Sequence, residues 1–513
     1  ITIDLTGSNT YVSGIVNETT GKIDIDNNIT IIGKGIYSNT INNKGEITTN
    51  NISLNSQGSY SSSSNGLRLI FNTGILNVNN SKLSHIYTDT TYEIYNETGT
   101  VNINNIITQG TGRNIHTYEG EVNITGTVTR EERGSLVYLD QKSGTSEGTK
   151  LNITNATIID TYNGRTNSLL GGKNGDIKIS NSNITAKSTI IETESWNAIG
   201  IDIIIENSTL TSSDGNSGTT INHSKGDLEI KDSDITYNGA YVGGGAINLS
   251  STANLTITGE SNITTTTADK AIGGDSTGTI TIGEKIAEGE AEEPQTMPII
   301  KGTKYGIYQN NTNGKLYFYD GTVIGSNSYQ AIYGKITDTE VGYDVIIKEN
   351  TEEKTLTATL ERLPVAQIGE NKYYSLYDAV QSVEGTEETT ITLLRNFNIT
   401  ETGQSAQIEE GKNIVIDLNG YNMTSTLENT IVNNGNLKIT DSNTENQGTI
   451  TLNLIGSNAY VSGIVNETTG KIDIDNNITI IGKGKYSNSI NNKGEITTNN
   501  ISLNSQGSYS SSS

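Results

Sequence analysis

The residues in this sequence best suited to chemistry are small groups of carboxylates. Asp24 and Asp26 alternate with apolar residues along one stretch, and Asp232 and Asp234 lie together in another. A further acidic run comprises Glu288, Glu290, Glu292 and Glu293. Converging carboxylates can bind Ca²⁺, or act in the elimination or hydrolysis of a polysaccharide. A solvated strand face or loop explains these groups at least as well, so we predict no catalytic residue and no cofactor, with Ca²⁺ at the acidic run as the alternative.

Tyrosines form a second set of interest. Among the 25 tyrosines, six lie close together late in the chain: Tyr305, Tyr308, Tyr317, Tyr319, Tyr329 and Tyr333. An exposed tyrosine can stack on a sugar or on a neighbouring protein through its apolar ring, while its hydroxyl stays in water. We therefore predict a contact surface at these residues. The alternative is that the rings cover a large corner of the fold.

Other chemistries find little support. The three histidines, His85, His116 and His223, are dispersed without the spacing of a zinc site, and there is no cysteine nucleophile. The glycine-rich stretches lack the spacing and context of a nucleotide-binding loop. A net charge of −24 disfavours nucleic acid as a partner, because a binder needs a basic face. No apolar run is long enough to span a bilayer, so we expect no membrane insertion in this segment.

These side chains must be positioned by β-strands. Only 32% of residues are hydrophobic, yet Ile, Val and Leu alternate with polar residues, which is typical of half-buried strands. From Val12 to about Ile336 one short sequence motif recurs. It consists of an apolar position, a glycine-bearing turn, alternating apolar residues and a second Asn or Asp turn. Its first turn glycines, Gly21, Gly45 and Gly74, are 24 and 29 residues apart (45 minus 21 and 74 minus 45).

That spacing indicates an all-β protein built as a parallel β-helix, in which each coil of roughly 20 to 30 residues adds strands to separate parallel sheets. Residues such as Ile23, Ile25 and Leu228 should point into the core. Corner Asn and Gly residues tolerate left-handed backbone angles, and stacked Asn side chains can form hydrogen bonds along the axis. The polar segments 131–148 and 287–298 are predicted to be loops extruded from the coil.

One segment, 375–384, has a helical pattern instead. Ser375 can cap its N-terminus, with Asp378 three residues later as in a capping box, and Gly385 can end it. An apolar stripe at helical spacing is formed by Leu376, Ala379, Val380 and Val383. We predict one short amphipathic helix that covers the open end of a solenoid and shields its strand edges.

The sequence also contains one long stretch twice. Residues 1–64 recur at 450–513 with six substitutions, an offset of 449 residues (450 minus 1). Such a period predicts tandem modules, with 1–345 as coils of one module whose first part is missing, 346–365 as its end or linker, and 366–513 as the start of the next. At the strand spacing of a β-helix, one module would extend roughly 70 to 85 Å.

The segment 365–450 resembles the repeated β-helix modules of large surface proteins from clostridia and related Firmicutes. The matching residues are AQIGENKYYSLYDAV, ITLLRNFNIT, GKNIVIDLNGYNM, IVNNGNLKITDSN and QGTI, with IDLNGY at 416–421 the most specific part. Those modules are similar to the pectate-lyase-like superfamily. The resemblance implies a right-handed parallel β-helix and an extracellular, cell-surface location.

These observations favour a non-enzymatic structural protein whose modules join end to end in a stalk or fibre, with lateral self-association as an addition. The expected partners are other copies or modules of the same protein, and a glycan or host surface. Two alternative functions stay open. One is a polysaccharide lyase or hydrolase of the pectate-lyase-like superfamily, and the other is an adhesin that binds a host glycan or protein through extruded loops.

Overall fold

The chain folds as a parallel β-solenoid of about 16 turns with one short helix. The computed structural model describes residues 1–5, 12–34, 38–57, 68–85, 92–110, 112–132, 134–140, 148–162, 168–195, 198–213, 218–286, 297–340, 342–399, 405–454, 461–475, 478–484, 487–498 and 501–505. They form two compact units: unit 1 contains Ile1–Ile286, Glu293–Glu340 and Val345–Leu360, and unit 2 consists mainly of Glu361–Ser513. The predicted all-β solenoid is confirmed, while its right-handed sense stays a prediction.

Among the described residues, sheet 1 of unit 1 has 13 strands, each pairing in parallel with its equivalent in the next coil. These strands are Val12–Asn17, Ser38–Asn43, Arg68–Asn72, Tyr92–Asn96, Arg113–Thr117, Val137–Leu139, Leu170–Gly172, Ile191–Thr193, Thr219–His223, Gly245–Leu249, Lys270–Gly274, Tyr305–Gln309 and Ile332–Tyr333. Because they follow chain order, each coil contributes one strand to the sheet.

Sheet 2 of unit 1 has 24 strands in the part of the chain that the structure describes, and most coils contribute two of them, on either side of a corner. These strands are Thr2–Asp4, Lys22–Asp26, Thr30–Lys34, Glu46–Asn50, Ser53–Ser56, Ile75–His85, Thr100–Gln109, Glu121–Arg130, Lys150–Asp160, Asn174–Ser180, Asn183–Ala186, Gly200–Glu206, Thr209–Ser212, Asp227–Lys231, Asp234–Tyr237, Asn254–Thr258, Asn262–Thr265, Thr279–Ile282, Ile299–Lys301, Lys315–Phe318, Thr322–Ser326, Ile336–Thr339, Tyr343–Asn350 and Thr355–Arg362. Sheets 1 and 2 enclose the core of unit 1.

The core is a stack of like residues from successive coils. In sheet 1, Ile41 lies beside Ile70, which lies beside Ile94, and all three are fully buried. Leu228 and Ile230 of sheet 2 are also buried, as their alternation with charged residues predicts. Burying one such side chain contributes roughly 1.5 to 3 kcal/mol, so the stability grows with each added coil.

The corners of the coil use two residue types for different reasons. Asn51, Asn80 and Asn105 have φ of 55°, 47° and 54°, the left-handed conformation that Asn accepts more readily than most residues. The turn glycines have another role, because a Cβ on Gly74 would overlap the backbone carbonyl oxygen of Gly45 in the preceding coil. Their small size permits close stacking of coils. Gly74 does not have a positive φ, whereas Gly175 and Gly226, at turns of later coils, have φ of 128° and 106°.

One segment differs from its predicted structure, and a second contains a strand that was not predicted. The polar segment 131–148, predicted as an extruded loop, contains the buried strand Val137–Leu139, which pairs within sheet 1. The segment 346–365, predicted as a module end or linker, contains the whole strand Thr355–Arg362, which pairs antiparallel with Thr322–Ser326. Ala358 of that strand is fully buried on the core. An antiparallel strand therefore covers one edge where the parallel ladder ends.

Unit 2 has its own core and three sheets. Sheet 3 contains Ala366–Ile368, Asn371–Tyr373, Glu388–Leu393, Asn413–Asp417, Asn436–Thr440, Lys471–Ile474 and Glu495–Thr498. Sheet 4 contains Phe397–Ile399, Met423–Ser425, Thr449–Asn453, Thr479–Lys483 and Ser502–Ser505. Sheet 5 contains Ala406–Ile408, Ile431–Asn433, Val461–Asn466 and Ser487–Asn492. Among these described strands, Ala366–Ile368 pairs antiparallel with both Asn371–Tyr373 and Glu388–Leu393, and the remaining pairings are parallel.

The helix of unit 2 spans Leu376–Gln381, slightly shorter than predicted. The Ser375 hydroxyl caps it by accepting a hydrogen bond from the Asp378 backbone N–H at 2.9 Å and donating one to the Asp378 carboxylate at 2.7 Å. Its apolar stripe is buried in the core of unit 2: Leu376, Ala379, Val380 and Val383. The helix lies against Ala406–Ile408, the first strand of sheet 5. Across the described ranges, no helix has the length and apolar character needed to cross a membrane.

Candidate binding surface

Four of the six predicted contact tyrosines form one cluster on the outer face of sheet 1. Tyr308 and Tyr333 occupy the same position in successive coils, and their rings stack with centroids 4.5 Å apart and an interplanar angle of 12°. Tyr305 packs against Tyr308 at 5.0 Å and against Tyr329 at 5.4 Å. Tyr329 and Tyr333 are 45% and 39% exposed. We name these four residues the tyrosine patch.

Charged groups flank the tyrosine patch. The Lys270 ammonium lies 5.3 Å from the centre of the Tyr308 ring, and the Lys304 ammonium lies 5.2 Å from that of Tyr329. Lys304 also forms an ion pair with Asp269 at 2.9 Å, and this hydrogen bond raises the Lys304 pKa. The patch thus combines flat apolar rings with polar groups at its rim, which suits a ligand bearing both apolar faces and hydroxyls.

The remaining two predicted contact tyrosines lie elsewhere in the fold, on sheet 2. Tyr317 and Tyr319 lie at the end of a sheet 2 strand and stack on each other at 5.9 Å. The Tyr319 hydroxyl donates a hydrogen bond to Asp338 at 3.1 Å. Partial burial, followed by that bond, raises the pKa of Tyr319 to about 12. This pair is therefore separate in the fold from the sheet 1 column that carries the tyrosine patch.

A second aromatic column on sheet 1 was not predicted as a site. Phe71, Tyr95, His116 and Tyr138 occupy equivalent positions in four successive coils. The Tyr95 ring stacks on Phe71 at 5.8 Å and on His116 at 5.3 Å. The Arg68 guanidinium lies 3.8 Å above the Tyr95 ring. Its sequence signal is one aromatic ring at the same position of each coil, which becomes visible only when the coil register is known.

This column is largely a packed structure. Tyr138 is 6% exposed, and its hydroxyl donates a hydrogen bond to Glu194 at 2.6 Å. Burial, together with nearby Arg113 and Arg68, holds the pKa of His116 well below its usual value, so His116 is neutral at pH 7. A neutral, buried imidazole in an aromatic stack fits a role in joining coils.

The candidate carboxylates do not converge in the part of the chain that the structure describes. In sheet 2, Asp24 lies opposite Thr48, and Asp26 lies opposite Asn50 and accepts a hydrogen bond from it at 2.7 Å. Asp234 likewise accepts one from Asn262, at 2.8 Å. No group of three or more His, Cys, Asp or Glu side chains in the described ranges is arranged to hold a metal ion. The acidic run of Glu288, Glu290, Glu292 and Glu293 lies outside the described residues.

The repeated stretch occupies the same place in the coil of both units. In unit 1, Val12 pairs with Ser38 and Ile15 with Ile41. In unit 2, Val461 pairs with Ser487 and Ile464 with Ile490, which are the same positions shifted by 449 residues. The two copies therefore form equivalent pairs of coils.

No protein-family model and no curated protein matches the chain. The class of protein that the geometry defines is the parallel β-solenoid.

Proposed function

We propose that this protein is a non-catalytic structural protein, made of tandem β-solenoid modules and displayed outside the cell as a stalk or fibre. The observation that carries this proposal is the equivalent placement of the repeated stretch in two units, at Val12–Asn17 and Val461–Asn466. A solenoid gains length by adding coils, and a repeated solenoid gains it by adding modules. The resemblance of 365–450 to the surface proteins of clostridia and related Firmicutes supports the extracellular location and the pectate-lyase-like type of coil.

Surface display has a direct test in the source cells. Antibodies against the purified chain should label intact cells, and brief protease treatment of intact cells should remove the label. Labelling that appears only after the cells are lysed would contradict the proposed location. An antibody against a cytosolic marker is the control for cell integrity.

A second candidate function is adhesion to a glycan, and the tyrosine patch favours it. Tyr329 and Tyr333 are exposed beside Lys270 and the Lys304–Asp269 ion pair. Aromatic rings stack on sugar faces, while charged and hydroxyl groups bind their rims. The full chain should then bind oligosaccharides on an immobilised panel.

The adhesive function predicts which tyrosines matter. Replacing both Tyr329 and Tyr333 with Ala should weaken binding by about tenfold or more, about 1.4 kcal/mol, because stacking area is lost. Tyr317→Ala, at the separate pair, should leave binding unchanged. Equal losses in both variants, or no binding to any neutral or acidic oligosaccharide, would count against adhesion through this patch.

A further inference from the structure

The first coil of unit 1 presents an apolar strand edge. Within the described ranges, its strands Thr2–Asp4, Val12–Asn17 and Lys22–Asp26 each pair with a neighbour on one side only. Ile1 is 67% exposed and Val16 is 48% exposed. An edge of this kind offers unpaired backbone groups and apolar side chains to another β-segment.

Unit 2 contains the same residues with that edge covered. Ile450 and Val465 correspond to Ile1 and Val16 by the 449-residue shift, and they are 0% and 7% exposed. Four further isoleucines are half-buried in unit 1, at Ile15, Ile23, Ile25 and Ile29. Their counterparts in unit 2 are buried, at Ile464, Ile472, Ile474 and Ile478. Since the sequences are nearly identical, the difference arises from what lies against them.

The cover in unit 2 consists of three parallel strands from the preceding coils. They are Met423–Ser425, Ile431–Asn433 and Asn436–Thr440. Their inward side chains lie in register on the repeated stretch, with Met423 beside Ile450, Ile431 beside Ile464 and Leu437 beside Ile472. Each strand of the unit 1 edge therefore has an identified partner sequence.

A buried polar contact fixes the same register. In unit 2 the Asn433 side chain donates a hydrogen bond to Asn466 at 2.8 Å, and Asn466 donates to Asn492 at 2.7 Å. In unit 1 the equivalent pair is Asn17 and Asn43, joined at 2.9 Å. A shift of the pairing by one residue would turn the Asn side chain to the opposite face of the strand. This row of Asn–Asn hydrogen bonds therefore selects one alignment of the strands.

The last coil of unit 2 gives independent support, because its exposed edge has a covered counterpart in unit 1. Leu503 is 62% exposed, whereas its equivalent Leu54 is fully buried beside Leu83 of the next coil. Each edge of the repeated stretch is therefore seen in both states. The first edge is exposed in unit 1 and covered in unit 2, and the last edge is covered in unit 1 and exposed in unit 2.

We propose that the open edge of unit 1 is the binding surface for a second copy of residues 361–449. This partner places Met423, Ile431 and Leu437 on Ile1, Ile15 and Ile23, in the register seen in unit 2. The inference rests on the proposed tandem-module function and names the segment through which modules are completed. One complete solenoid is then the sequence 361–449 followed by 1–360, which together make one 449-residue period.

The test compares the full chain with a chain that has residues 361–449 added before Ile1. Amide hydrogen exchange in 12–26 should slow by at least about tenfold and approach that in 461–475, because both edges of these strands become paired. Peptides that include position 10 or 459 separate the two copies by mass, since one has Thr and the other Ala.

Variants of the added copy alone test the register. Leu437→Asp places a charge in the new core and should restore fast exchange in 12–26. Lys438→Ala alters the neighbouring solvent-facing residue and should keep the slow exchange. The 461–475 stretch of unit 2, whose own cover is unchanged, should stay protected in every variant.

Unchanged exchange in 12–26 overturns the proposal, whether the added copy folds separately or stays unprotected. Slow exchange that Leu437→Asp leaves unaffected overturns the proposed register. Surface labelling of cells distinguishes this failure from failure of the proposed function, because labelling does not depend on how 361–449 binds.

Discussion

At the scale of single residues, buried asparagines hold successive coils in register. The Asn43 side chain accepts a hydrogen bond from Asn17 and donates one to Asn72 at 2.8 Å, and Asn72 donates to Asn96 at 2.8 Å. Asn43 also donates to the backbone carbonyl of Ile75 at 2.9 Å. These amides lie in the interior, where an unmatched polar group is costly, so the ladder adds specificity to the stability of the isoleucine stacks.

Removing one amide of this ladder should destabilise unit 1. Asn43→Ala leaves the buried amide groups of Asn17 and Asn72 without their partner and should lower the free energy of unfolding by about 2–3 kcal/mol. The control is Asn102→Ala, in an outward-facing row where Asn102 bonds Asn77 and Asn123. Water can replace those contacts, so we expect a loss below about 1 kcal/mol. Equal losses in denaturant unfolding would contradict the role of the buried ladder.

Glu93 gives unit 1 a pH-dependent stability. It is 1% exposed, and burial raises its pKa to about 8, against the opposing effect of a hydrogen bond from Asn114 at 2.7 Å. The Glu93 carboxyl group therefore stays protonated in the folded state, whereas in the unfolded state it loses its proton above about pH 4.5. The stabilisation is fully present below that pH and falls as the pH rises to about 8.

Glu93→Gln should remove this dependence. The variant keeps a neutral side chain of the same shape, so its free energy of unfolding should be flatter between pH 4.5 and 8 and exceed that of the wild type at pH 8. The expected difference across this range is on the order of 4 kcal/mol. Glu229→Gln, at an exposed position of sheet 2, should leave the slope unchanged. Parallel pH curves for the wild type and Glu93→Gln would refute the assignment.

At the scale of elements, the ends of the ladders use structures that differ from the coils. In unit 1 the strand Thr355–Arg362 covers an edge in antiparallel orientation. In unit 2 the strand Ala366–Ile368 pairs antiparallel with Glu388–Leu393, and the helix Leu376–Gln381 packs on the first strand of sheet 5. Such elements protect strand edges that would otherwise pair with other chains.

The helix at the start of unit 2 depends on its N-cap. Ser375→Ala removes the acceptor for the Asp378 N–H and should destabilise this region by about 1 kcal/mol, because one helical N–H loses its partner. The measurement is amide exchange in 366–393, which should become faster. Ser375→Thr retains a hydroxyl and should exchange much as the wild type does. Slow exchange in Ser375→Ala would show that packing of Val380 alone holds the helix.

The alternation of apolar and polar residues, together with the turn residues, predicted most of the fold, because both signals depend only on residues close together in the sequence. The inward face of Leu228 and the Ser375 cap follow directly from neighbouring residues. The strand Val137–Leu139 was missed because three residues between polar segments carry too little periodicity. The antiparallel pairing of Thr355–Arg362 was missed because pairing direction depends on distant residues.

The candidate site was predicted in part, for a related reason. Sequence proximity grouped six tyrosines, and the structure joins Tyr305, Tyr308, Tyr329 and Tyr333 while placing Tyr317 and Tyr319 on another sheet. A corner of the coil separates neighbours in sequence, and a full turn of the coil brings distant positions together. The column containing Tyr95 and His116 needed that register to be recognised.

At the scale of the whole molecule, the repeated stretch defines a period of 449 residues. Sheet 1 contributes 13 strands, and in unit 2 the strands Ala406–Ile408 and Ile431–Asn433 precede the repeated stretch in the equivalent sheet. Counted over the described ranges, these are 15 stacked strands per period (13 plus 2). At about 4.8 Å per strand, the solenoid of one module is roughly 70 Å long.

The central claim is that this protein provides length by repeating a solenoid module, and electron microscopy of arrays with one, two and three 449-residue periods tests it most directly. We predict thin particles whose contour length increases by a constant step of roughly 70 Å per period. Compact particles whose longest dimension does not increase in such steps would contradict the account.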